Sequence, residues 1–330
     1  MKNLSDHQEP SISQFQLDDT EKGSIRHFWL RLITDVLGNA ISIPVMVARG
    51  SMDGPILGLT AAVHGNELNG VSVIQRLFRE IDVATLKGTV VGVPIVNIPS
   101  FQRRKRRFID GVDLNHIMPG LEHGNVSQVY AYRFVNRIVH QFDYLLDLHT
   151  ASAGRINSHY VRADMENPIT AQLALLQSAE IIVHNPPSDG TLRGAAEELN
   201  IPAITLELGN PHTFQKELIR SGVVGIHNVL AHLNMVPINI EKPQEQTIIC
   251  AKSYWIYTQE GGLLRVHVDL TERINQGALI ATVRDVFGNL LNEYHAPEDG
   301  IVIGKSVNPV NKTGGRILHF GIEKSQKSLY

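Results

Sequence analysis

Cysteine is almost missing from this chain: Cys250 is the only one in 330 residues, so no disulfide can form within it. That fits a reducing compartment. Long apolar runs are missing as well, the longest being roughly ten residues, well short of the ~20 that span a bilayer. The stretch Met1–Lys22 is polar throughout and carries no apolar segment of the kind that directs secretion. Charge of one sign is also lacking. A formal net charge of −3 gives no general attraction to nucleic acid or to an anionic membrane. What remains is 43% hydrophobic and 19% charged, the balance of a soluble globular protein, here read as cytoplasmic. The length suffices for a large core and two domains.

Behind a polar arm (residues 1–25), strand-like and helix-like runs alternate. Phe28–Thr34 and Ile41–Ala48 flank Gly38-Asn39 as a hairpin. Pro55–Val63, Gly88–Val96, Tyr144–Leu148 and Ala203–Leu208 read as buried strands. Glu67–Ile81, Ser127–Gln141, Ile169–Ala179 and Gln215–Leu233 have helical periodicity, with Val71, Ile74, Leu77 and Phe78 on one face of the first. This alternation predicts an α/β fold, a mixed, mostly parallel sheet flanked by helices, over residues 26–240. Past Pro237–Pro243 only short β-like runs follow, among them Ile248–Tyr257, Leu263–Asp269, Ala278–Val283 and Gly300–Gly304. Residues 241–330 therefore read as a smaller all-β domain.

In such sheets, functional residues gather at the carboxyl ends of strands. His64-Gly65-Asn66-Glu67 follows one strand and His149 ends another. Two histidines and a carboxylate can hold a metal while leaving a fourth position for water. Asp147 shares His149's side of its strand and is a candidate acceptor that orients the ring. The blander alternative is that His64 and Glu67 cap the next helix while His149 is a hydrogen-bonded core residue. Spacing alone does not separate the two.

Four segments taken together resemble the succinylglutamate desuccinylase and aspartoacylase family, a branch of the zinc carboxypeptidase-like proteins. They are Ala62–Glu67, Asp113-Leu114-Asn115, Asp147–Thr150 and Thr205–Gly209, spread over roughly residues 40–235. The all-β tail, with Ala296–Gly300, resembles the family's extra barrel-sandwich-like module. The resemblance implies one zinc ion per chain on His64, Glu67 and His149, with Glu207 as general base. Without the metal motif, Glu207 reads as a surface residue after a strand. The resemblance also implies an arginine shortly before Asp113 that polarises the substrate carbonyl, matched best by Arg107 and next by Arg106. Read without the resemblance, Arg103–Arg107 is a solvated basic loop or, less convincingly, a nucleic-acid patch.

One position departs from the family pattern. Asn115 is followed by His116 where an arginine is usual, and the two together would grip a substrate carboxylate. An imidazole cannot make the bidentate fork of a guanidinium. This implies a substrate that lacks that carboxylate or presents it differently, which argues against N-acetylaspartate and succinylglutamate. Arg155, Asn157, Arg162 and Arg193 are read as further polar residues on loops near the cleft. The tail lacks the Met-Lys pair of a biotinyl carrier, so it reads as a cap over the site or as a contact surface between copies. The expected function is hydrolysis of the amide or ester bond of a small N-acyl amino-acid-like molecule. The alternatives are a carboxypeptidase of short peptides and a metal-binding protein without turnover.

Overall fold

A computed structural model describes residues 9–241 and 246–324. Residues 1–8 of the polar arm, and residues 242–245 beside the expected domain boundary, lie outside the described residues. After β1 (Ser11–Ile12), the predicted hairpin is β2 (Ser24–Thr34) and β3 (Ala40–Arg49). Its turn closes because the Asp35 carboxylate accepts from the Leu37 and Asn39 backbone nitrogens, both at 2.8 Å, while Gly38 takes a φ of +83°. Then come β4 (Met52–Ala61), α1 (Asn69–Glu80), β5 (Lys87–Val93), α2 (Ile98–Arg103) and α3 (Val126–Arg137). They are followed by β6 (Tyr144–His149), β7 (Arg155–Asn157), β8 (His159–Ala163), α4 (Pro168–Leu175) and β9 (Ile181–His184). The α/β part ends with α5 (Leu192–Glu198), β10 (Ala203–Leu208) and α6 (Lys216–His232).

The sheet runs β1-β2-β3-β5-β4-β6-β10-β8-β9 and then onward into the tail. Its centre, β5-β4-β6-β10, is parallel, as is β8-β9, while β2-β3, β3-β5 and β10-β8 are antiparallel. Alternate residues of the central strands feed two cores. Leu146, Leu148, Ile204, Leu206 and Leu208 pack with α1, α4 and α6. Leu145 and Ala203 face Phe134 of α3 and Ala195 of α5 on the opposite side. Each Leu, Ile or Phe fully buried in this way contributes about 1.5–3 kcal/mol. With both faces covered, polar side chains are forced to the strand ends.

The tail comprises β11 (Ile248–Tyr257), β12 (Gly262–Val266), β13 (Arg273–Ile274), β14 (Leu279–Arg284) and β15 (Leu290–His295). It closes with β16 (Gly300–Ser306), β17 (Val310–Asn311) and β18 (Arg316–Glu323). It forms a second sheet, β15-β14-β12-β17, over its own apolar core. Its other strands join the main sheet, since β11 pairs in parallel with β9, and β16 pairs with β7. The tail is therefore hydrogen-bonded to the α/β part next to the strands that carry the polar residues. No described helix is long and apolar enough to cross a membrane.

Candidate metal centre

β4 ends at Ala61, and Ala62 turns the chain with a φ of +49°, a left-handed conformation that costs an alanine about 1–2 kcal/mol. Asn97 holds the turn by donating from Nδ2 to the Val63 carbonyl at 2.9 Å. At Gly65 the chain passes so close to α2 that a Cβ would stand 2.1 Å from the Phe101 nitrogen, so only glycine fits. The helix predicted from Glu67 begins at Asn69, and Leu68 rather than a polar side chain occupies its cap position. His64 and Glu67 therefore do not cap α1, and both are buried beside the end of β6.

The Glu67 carboxylate lies between the two histidines. Its Oε1 is 2.9 Å from His64 Nδ1 and its Oε2 is 2.9 Å from His149 Nδ1. Each ring is held from behind by an aspartate, His64 Nε2 donating to Asp113 at 3.0 Å and His149 Nε2 to Asp147 at 2.7 Å. Asp147 is fixed in turn by the Thr60 hydroxyl at 2.7 Å. Burial opposes ionisation of Glu67, but the two histidines outweigh it and hold the carboxyl well below its usual range. Burial also opposes protonation of His149, and Asp147 and Glu67 overcome it, raising the ring well above 6.5. With both Nε2 atoms committed to carboxylates, both Nδ1 atoms face the same point as Glu67, within 4.8 Å of one another. Two imidazole nitrogens and one carboxylate oxygen, backed by acidic partners, suit a divalent metal with an open coordination position.

Glu207 stands next to this cluster, because parallel pairing of β10 with β6 sets it opposite His149. Asn157 Nδ2 donates to its Oε2 at 3.2 Å, and Arg162 Nε is 3.6 Å from its Oε1. All four residues open into one cavity of about 330 Å³.

The basic run turns out differently from the expectation. Arg107 is exposed, donates to the Gly111 carbonyl at 3.0 Å and does not line the cavity. Its neighbour Arg106 turns inward, its Nη1 donating to Ser152 Oγ at 2.7 Å and to Glu67 Oε1 at 3.2 Å. Arg106 Nε also donates to Asp113 Oδ2 at 2.8 Å. The two side chains leave this bend in different directions, and only Arg106 enters the cavity. Asn115 and His116 both line the cavity, His116 at its exposed rim. Asn115 Oδ1 accepts from the Leu192 nitrogen at 2.8 Å.

Arg155, Asn157, Arg162 and Arg193 also reach the cavity, although from strands β7 and β8 and from helix α5 rather than from loops. Arg193 is 5% exposed, and burial lowers its guanidinium to about 10. Its described hydrogen bonds go only to Asn185. Sequence reasoning missed Asp113 as the partner of His64, although its place beside Asn115 was visible. It also missed the tail's contribution of Trp255 and Arg316 to the cavity wall, which no local motif signals. The tail's Lys305 is tied to the Val268 carbonyl at 2.7 Å and to Asp269, so it offers no carrier lysine.

The profile of the succinylglutamate desuccinylase/aspartoacylase catalytic domain matches residues 53–233, more than half of the chain. The chain is 27% identical over 303 residues to an N-alpha-acetyl-L-2,4-diaminobutyric acid deacetylase of Halomonas elongata, covering 87% of this chain and 88% of that one. It is 30% identical over 176 residues to a succinylglutamate desuccinylase of Pseudomonas paraeruginosa, covering 49% and 53%. In fold it is similar to the product-bound ectoine utilization protein of Ruegeria pomeroyi. The TM-score there is 0.85 at 22% identity, over 96% of this chain and all (100%) of that one.

Proposed function

Because this chain belongs to the succinylglutamate desuccinylase/aspartoacylase family, we propose that it is a zinc-dependent deacylase of small N-acyl amino acids. The observation that carries the proposal is the meeting of His64, Glu67 and His149 with Glu207 in one cavity. The donor set fits a single zinc, which when bound would polarise the scissile carbonyl and acidify water.

The protein's own groups account for the remaining steps. Glu207 takes the proton of the attacking water at a carboxylate oxygen and delivers it to the amine nitrogen as the carbon–nitrogen bond breaks. Asn157 and Arg162 hold that carboxylate in place. Arg106, fixed by Asp113 and Ser152, directs a guanidinium at the oxygen on which negative charge develops. In this reading Arg106 takes the role first expected of Arg107. Arg193, buried and bonded only to a neutral asparagine among the described residues, takes the substrate carboxylate, with Asn115 and His116 beside it.

The cavity wall contributed by Trp255 and Arg316 limits the site to small substrates and disfavours a carboxypeptidase. It also supports residues 241–330 as a non-carrier cap on a catalytic domain spanning 26–240. A cytoplasmic location, with no nucleic-acid or membrane partner, belongs to the same proposal.

The test is a panel of N-acyl amino acids offered to the zinc-loaded enzyme, varying acyl group and amine separately. Release of free amino acid from at least one member supports the reading. Release of terminal residues from short peptides, with every N-acyl amino acid left intact, would favour the carboxypeptidase instead.

A further inference from the structure

Asn157 and Arg162 hold the two oxygens of Glu207 unevenly. Asn157 donates to Oε2 at 3.2 Å, while Arg162 Nε stands 3.6 Å from Oε1, beyond hydrogen-bond reach. A carboxylate fixed at one oxygen still turns about its last bond, whose torsion is broad. Tyr160 is its neighbour. Antiparallel pairing of β10 with β8 sets Tyr160 directly opposite Glu207, on the same face of the sheet, and both line the cavity.

The Arg162 guanidinium lies over the Tyr160 ring, its Cζ 5.3 Å from the centroid, and Nη2 donates to Tyr160 Oη at 2.6 Å. An N–H donor takes a lone pair of a phenol and leaves the phenol's own proton for another acceptor. Glu207 is the carboxylate across the register. Burial raises the phenol well above its usual range; Arg162 opposes this, and Glu207 adds to it by charge and by hydrogen bonding.

The Tyr160 ring is itself clamped. It is buried in a small core shared with Ile181 and Val183 of β9 and with Cys250, Ile301 and Ile303 of the tail. The tail's His319 meets the ring edge-on, with centroids 5.6 Å apart, and is stacked in turn on Trp255. The hydroxyl is therefore a fixed donor at the seam between the α/β part and the tail.

We infer that Tyr160 is a positioning residue for Glu207: its ring is packed by the tail, and its hydroxyl holds the carboxylate in the orientation that meets the attacking water. The inference rests on the deacylase reading and gives the tail a part in the chemistry beyond walling the cavity.

The test is Tyr160→Phe, which keeps the ring and its packing and removes only the hydroxyl. With an N-acyl amino acid that wild type hydrolyses, kcat should fall about 10- to 100-fold, the scale of a hydrogen bond to a charged group. KM should change less than about twofold. The loss should vanish once the base is gone. In Glu207→Gln, whose amide cannot take the proton, adding Tyr160→Phe should lower the residual rate less than about threefold. A hydroxyl needed only for folding would lower both backgrounds alike, and one that contacts the substrate would raise KM; either result overturns the inference. Circular dichroism and zinc content check that each variant is folded and loaded.

If no N-acyl amino acid is hydrolysed, the deacylase reading fails, and the grip of Tyr160 on Glu207 is decided separately by melting temperatures of metal-free protein. A double variant of Tyr160→Phe and Glu207→Ala that loses less than the sum of the separate losses supports it. Losses that simply add overturn it.

Discussion

Glu207 lies directly opposite His149 in the parallel pairing of β10 with β6, and both side chains emerge on the same side of the sheet. Neighbouring strands are about 4.8 Å apart, so this register alone brings the proposed general base beside a proposed metal ligand. Neither residue depends on a flexible loop for its position. The site's precision comes from the two buried cores beneath it.

Glu207→Gln tests that role. Zinc content and melting temperature should stay near wild type, because Asn157 still has an oxygen to bond. Hydrolysis should fall by about 10²- to 10⁴-fold, the usual contribution of a general base. Steady-state kinetics with near-normal turnover would remove Glu207 from the chemistry.

The two adjacent arginines should behave differently. Arg106→Ala is expected to lower kcat by about 10²- to 10³-fold, as for loss of an oxyanion donor. Arg107→Ala, which loses only a surface bond to the Gly111 carbonyl, should stay within about twofold of wild type. The paired measurement is decisive because the residues are neighbours of the same type.

Asp113 should prove to be a support for the metal centre. Its carboxyl is opposed by burial but held ionised by His64 and Arg106. Asp113→Ala frees the His64 ring, and metal affinity measured against a chelator should drop about 10- to 100-fold. An unchanged affinity would mean that the ring is oriented by Glu67 alone.

Loss of stability in acid has a source away from the candidate metal centre. His159 is buried, accepts or donates only to Ser221, and burial lowers it from 6.5 to about 4. As pH falls, the unfolded chain takes up that proton first, so stability is complete above pH 6.5 and declines between there and about 4. The shift corresponds to roughly 3 kcal/mol. Urea titrations at pH 7 and pH 4.5 should show a decline in His159→Gln that is smaller by roughly 2–3 kcal/mol. Equal declines in both proteins would contradict this.

The strands bearing His64, His149 and Glu207 were legible because each is an apolar run that stops at a polar residue. The order of the motifs links His64, Glu67 and His149, which the fold brings into one cluster. Other features were hidden for physical reasons. Arg106 and Arg107 are equivalent in composition, and only the course of the chain after Arg104, which turns through a φ of +53°, decides which one enters. His64 and Asp113 meet across 49 residues of sequence. Arg193 sits in a seven-residue helix too short to show periodicity. Arg155, Asn157 and Arg162 lie on strands of three and five residues that composition cannot separate from loops. The reach of Trp255 and Arg316 into the cavity follows from the pairing of β11 with β9, a long-range contact that no local pattern announces.

The most direct test is metal analysis of purified protein, coupled to activity. The account predicts about one zinc per chain, loss of hydrolysis on chelation with recovery on adding zinc, and loss of both metal and activity in His64→Ala and His149→Ala. Full hydrolysis by metal-free protein, or stoichiometric zinc retained in both variants, would contradict it.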